Sequence, residues 1–110
     1  MTINPFEIGT QSRTKVVNGV TCRSVSVGVK SKIESLVAAT SGKASSKDCV
    51  EVRWIALLHG CVDDNGECIF KKEDRSRFSQ LESWFVEPIF EAILKLSGVN
   101  DQDREDFEGN

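Results

Sequence analysis

The segment from Lys47 to Val62 constrains the fold more than any other part of the chain. Val50, Trp54, Leu57 and Cys61 recur at helical spacing and form one apolar stripe. Val52, Ile55, His59 and Val62 form a second stripe beside it. A helix that is apolar on two adjacent stripes must be covered on several sides, so the sequence predicts a central helix over about 47–62. Asp63-Asp64-Asn65-Gly66 is expected to end it.

The rest of the chain has to supply the cover. In KVVNGVTCRSVSV, Asn18-Gly19 lies between Val17 and Val20. Both positions of a two-residue hairpin turn of this kind need positive φ, which Asn and Gly tolerate, so strands are predicted near 13–17 and 20–25. A two-stranded ribbon is not stable alone and must pack on helices. Ser26 is placed to cap a helix whose face carries Val29, Ile33, Leu36 and Val37, with Gly42 beyond its end. SGKASS then reads as a linker. KKEDRSRFSQL reads as a short amphipathic turn or helix with Phe78 and Leu81 inward. The last helix is expected to start at 84–88, with Pro88 in its first turn, and to stop at Gly98. Phe85, Ile89, Ile93 and Leu96 make its core face.

The expected fold is therefore α+β and predominantly helical, with a small N-terminal β-hairpin packed on three to four helices. The 110 residues are 39% hydrophobic, which suits one domain with one modest core. Residues 1–12 are polar and irregular and read as a flexible arm, residues 13–98 as the globular domain, and residues 99–110 as a mobile acidic tail. That tail holds five acids and one base, a net of −4, so the other 98 residues sum to +1. No basic stripe is present to neutralise phosphates, which argues against nucleic acid as a partner. The longest uncharged apolar stretch, Trp54 to Val62, has nine residues; a membrane-spanning helix needs about 20. The first residues lack the basic-then-apolar pattern of a secretion signal. The expected location is the cytosol, with the four cysteines reduced.

CVDDNGECIF, Cys61 to Phe70, invites a metal-site reading. With Gly66 at position 6 of a calcium loop, Asn65 and Asp63 fit positions 5 and 3. Position 1 would be Cys61 and position 12 would be Lys72, a poor ligand and a repelling one. Zinc would have to use Cys49, His59, Cys61 and Cys68, which lack the two close pairs of a structural site. His59 and Cys61 on one helix would point about 200° apart. The expected cysteines are small buried hydrophobes. No nucleophile elbow, P-loop or dinucleotide fingerprint occurs, and Glu87 and Glu91 read as a solvated helical face. No catalytic residue, metal or cofactor is assigned.

Two aromatic residues fall outside the core pattern. Trp84 lies in line with Glu91 and Lys95, so it either folds back as a hydrophobic staple or anchors an interface. Phe107 is the one aromatic residue of the acidic tail and suits docking on a basic partner. Both are candidate partner-binding residues.

The order of these pieces resembles a known family. A strand leads into a capped helix in RSVSVGVKSKIESL. An apolar helix, the D-x-x-G-x-x-x-F turn from Asp63 to Phe70, a short charged helix, EPIFEAILKLSG and a charged tail ending in Asn follow. This resembles the tail assembly chaperones of long, non-contractile-tailed bacteriophages, over roughly residues 13–110. The resemblance implies a non-enzymatic helper in the host cytoplasm. Such a helper would keep the tape measure protein soluble, promote polymerisation of the major tail protein, and be absent from the finished virion. Self-association is a further partner expectation. The resemblance further implies that this is the short product of a gene with a −1 ribosomal frameshift. Glu108-Gly109-Asn110 can be encoded by GAG GGA AAC or GAG GGA AAT, which contains a slippery heptamer. Sequencing the gene would test that expectation. The competing reading is a small cytosolic metal-binding or adaptor module.

Overall fold

A computed structural model describes residues 4–40 and 46–98, with the side chains of 39–40 and 46–49 outside the description. The chain is α+β and mostly helical. A short helix, α1 (Pro5–Gly9), precedes strands β1 (Thr14–Val17) and β2 (Val20–Arg23). Helices α2 (Val27–Thr40) and α3 (Ser46–Gly60) follow. After the two-residue strand β3 (Cys61–Val62) come a 3-10 turn (Lys72–Asp74), α4 (Arg75–Phe78) and α5 (Ser83–Leu96).

The hairpin forms as its turn dictates. Asn18 has φ +52° and Gly19 φ +77°, and β1 pairs antiparallel with β2 from Val17↔Val20 out to Thr14↔Arg23. Ser26 caps α2: the Val29 N–H donates to its Oγ at 3.3 Å and the Lys30 N–H to its carbonyl at 2.9 Å. Gly98, at φ +90°, ends the turn that follows α5.

The central helix ends sooner than its apolar pattern suggests. α3 stops at Gly60, and Cys61–Val62 leaves it to pair with Cys22 and Thr21 of β2. The apolar run thus spans a helix and a buried strand, which periodicity alone cannot separate. Sheet order is β1-β2-β3, with a further bridge from Val62 to Cys68. The DDNG segment closes this second reversal. Asp63 Oδ1 accepts from the N–H groups of Asn65 (2.8 Å) and Glu67 (3.0 Å), and Gly66 takes φ +79°. Its polar residues are exposed and hold their own backbone, as a turn requires.

The core lies between α3, α5, α2 and the inner face of the sheet. Leu57, Ile89, Ile93, Cys22 and Cys61 are fully buried, with Ile33, Val52, Trp54, Ile55, Ala56, Phe78, Val86 and Leu94 around them. Trp54 of α3 packs on Phe78 (5.3 Å between ring centroids) and edge-on to Phe70 (6.2 Å). This aromatic trio ties the segment after β3 to the central helix. Arg53 grips both carboxylate oxygens of Glu87 and lies over the Phe90 ring, which links α3 to α5 outside the core.

Two expectations about side chains change. Leu81, expected inward, is 38% exposed. Pro88, expected in the first turn of the last helix, stands inside α5 because that helix begins at Ser83. The N-terminal arm, expected to be irregular, carries α1.

Candidate partner-binding surface

α5 starts next to the hairpin turn. Pro88 has no N–H, so the carbonyl four residues before it, that of Trp84, loses its intrahelical donor. The Asn18 side chain fills the gap: its Nδ2 donates to the Trp84 carbonyl at 3.4 Å and to the Phe85 carbonyl at 3.2 Å. One asparagine therefore supplies the positive φ of the turn and fastens that turn to the helix.

Trp84 sits at this junction, and its side chain is left out of the core. It is 69% exposed and stands edge-on to Phe85, with ring centroids 5.9 Å apart. Glu82 is the N-cap of α5, so Trp84 is the second helical residue. The staple positions at this helix start are Leu81 and Val86, and Trp84 does not act as a staple. Along α5, Trp84, Pro88, Glu91 and Lys95 form one exposed stripe opposite the buried Val86, Ile89 and Ile93. The backbone beneath Trp84 is held by Asn18, while its indole faces water. Phe107 lies outside the described residues.

Among the described residues, the candidate metal ligands His59, Cys61 and Cys68 do not form a group that could hold an ion. His59 lies half-buried in the last turn of α3. Burial, then the charges of Lys32 and Arg23, hold its pKa below the ordinary value, so the neutral imidazole is favoured. Cys61 faces Cys22 across the β2–β3 ladder. The Ile69 N–H donates to the Cys61 carbonyl at 3.1 Å, so the polar backbone of Cys61 points away from β2. The Cys22–Cys61 pair is thus of the closer, non-hydrogen-bonded kind. Burial raises the Cys22 thiol, and burial with the neighbouring Cys22 and Cys68 pushes the Cys61 thiol up to about 12. These two thiols behave as apolar core groups. Cys68 lies partly exposed and accepts from Arg23 Nη2 at 3.4 Å, while Arg23 Nε donates to the His59 carbonyl at 2.9 Å. The Cys49 side chain lies outside the description. Among the described residues, no three of His, Cys, Asp or Glu are grouped to hold a metal ion, and no helix is long and apolar enough to cross a membrane.

A second surface feature is an open cleft of about 500 Å³ lined by Ile69, Phe70, Asp74, Arg77, Phe78, Gln80 and Leu81. Its floor is aromatic and its rim is charged. The sequence pattern hid it, because Leu81, expected inward, is 38% exposed, and Ile69 beside it is 42% exposed.

Comparison with known proteins adds no relative: no family model, curated protein or solved structure matches this chain.

Proposed function

We propose that this protein is a tail assembly chaperone of a long-tailed bacteriophage, working by binding and not by catalysis. In this reading it acts in the host cytoplasm. It holds the apolar tape measure protein soluble and helps the major tail protein polymerise around it. The order of sequence motifs from residue 13 to residue 110 motivates the family. The observation that best supports a binding role is Trp84: a large apolar side chain, 69% exposed, on a helix start fastened by Asn18. Tryptophan on an ordered backbone loses little entropy on binding and is enriched among the residues that dominate interfaces. An amphipathic helix of the client, laid along Trp84 and Pro88, would bury the exposed indole.

The test is co-expression with the tape measure protein of the same genome. That protein is expected in the soluble fraction, bound to this chain, only when the chain is present. Trp84→Ala should weaken the complex at least tenfold without lowering the melting temperature. A tape measure protein that stays insoluble with the chain present would overturn the function. A soluble complex indifferent to Trp84→Ala would move the contact elsewhere.

A further inference from the structure

The N-terminal helix α1 has the hydrogen bonds of a formed element but no core contact. Asn4 Oδ1 accepts from the Phe6 N–H at 3.0 Å, Pro5 opens the helix, and the Thr10 hydroxyl donates to the Phe6 carbonyl at 2.5 Å. Yet every residue from 4 to 16 is exposed, with Phe6 at 80% and Ile8 at 59%. A helix this short does not persist in water from local bonds alone. Its helicity and its exposed phenylalanine both call for a surface to lie on.

The cleft between Ile69 and Leu81 offers that surface. Phe70 and Phe78 form an aromatic floor, and Ile69 and Leu81 leave apolar walls open to solvent. Charge also matches. The one charged residue of α1 is Glu7. The cleft rim carries Arg77, whose side chain is 77% exposed and bonded to Asp74, which also lines the cleft; Lys71, Lys72 and Glu73 are exposed beside it, so these five residues leave a net of +1. Topology favours a second molecule as the source of the arm. The arm leaves from β1, one edge of the sheet, whereas the cleft follows Cys68, which bridges beyond β3 at the other edge.

We propose that α1 is an exchange arm: in a dimer of this chain, each copy seats Phe6 in the Ile69–Leu81 cleft of the other, with Glu7 against Arg77. Two such contacts are related by a two-fold axis, so the assembly closes at two chains. Each contact engages one five-residue helix, well short of a permanent interface, so the dimer is expected to be concentration-dependent. The exchange does not depend on the chaperone reading, because it needs no other protein.

The experiment is sedimentation velocity of the full chain over a concentration series. A reversible monomer–dimer equilibrium is expected. Phe6→Asp should raise the dissociation constant at least tenfold, and so should Arg77→Glu. Combining Glu7→Arg with Arg77→Glu should restore most of the loss, which a general effect on folding would not do. Both sites are exposed, so circular dichroism should stay unchanged and confirm that the variants fold, with the melting temperature unchanged for Phe6→Asp and only slightly lower for Arg77→Glu, which loses its surface bond to Asp74. A chain that remains monomeric into the millimolar range overturns the proposal. So does a dimer indifferent to Phe6→Asp, or charge reversal without rescue.

Discussion

Replacing Gly60 with alanine would put a methyl group where Ile93 already is. Gly60 is the last residue of α3 and is buried against α5. A Cβ on it would lie 2.6 Å from Ile93 Cδ1, 2.8 Å from Cγ1 and 2.9 Å from Cγ2. Carbon atoms rest at about 3.5–4.0 Å, so each contact is too close by roughly 1 Å. Ile93 has no exposed surface, and its branched Cβ leaves few rotamers, so it cannot swing aside. The two helices must separate locally. Overpacking of this kind costs about 1–3 kcal/mol. Alanine is the better helix former by up to about 1 kcal/mol, and by less at a helix end. The first effect wins, and the expected net loss is about 1–2 kcal/mol. At about 4–8 °C per kcal/mol for a domain of this size, the melting temperature should fall by about 4–16 °C. Urea unfolding followed by the fluorescence of buried Trp54 reads the change as a lower midpoint at unchanged slope. Ile93→Ala removes all three clashing carbons, so its own cost should shrink in the Gly60→Ala background by about 1 kcal/mol. A Gly60→Ala protein as stable as the parent, or strict additivity with Ile93→Ala, would refute this account of the helix contact.

Three further outcomes follow from the geometry. Asn18→Gly keeps the turn but removes the amide from the Trp84 and Phe85 carbonyls, at about 1 kcal/mol; in a Pro88→Ala background, where residue 88 regains its N–H, the urea midpoint should move less, and an equal cost in both backgrounds would disprove the link. His59 titrates below its ordinary 6.5 in the folded state, so the folded chain binds fewer protons than the unfolded one there; stability should be full above 6.5 and decline as pH falls from 6.5 toward the folded value, and His59→Gln should flatten that decline in paired urea titrations. Iodoacetamide followed by peptide mapping should leave Cys22 and Cys61 unmodified in the native protein and label them in urea; rapid native labelling would contradict their burial.

The parts of this fold that were legible in the sequence are those decided by neighbours in the chain. Asn18-Gly19 needs positive φ, Ser26 can reach the N–H of Val29, and Gly98 can turn the chain left-handed; each is a local matter. The core faces of α2 and α5 follow from spacing, and Ile33, Ile89 and Ile93 are buried as that spacing requires. The misread features depend on distant partners. α3 stops at Gly60 because β2 is there to receive Cys61 and Val62. Pro88 is tolerated inside α5 because Asn18, seventy positions earlier in the chain, serves the orphaned carbonyl. α1 is the exception: Asn4-Pro5 is a local capping signal, outweighed in the sequence by the polar residues around it. At the candidate surface, helical spacing placed Trp84 off the core face, but its fixed backbone depends on a contact that no pattern shows.

The bond from Asn18 to α5 also bears on the order in which the molecule opens. A hairpin of two four-residue strands would ordinarily be among the first parts to fluctuate. Here its turn holds the main chain of a helix near the other end of the sequence. Releasing the hairpin uncovers a carbonyl that α5 cannot serve by itself, and fraying the start of α5 takes away the acceptors of the turn. The two should therefore open as one cooperative unit. Slow amide exchange in β2 and in the first half of α5 would then share a single opening free energy, and Asn18→Gly would split it into two.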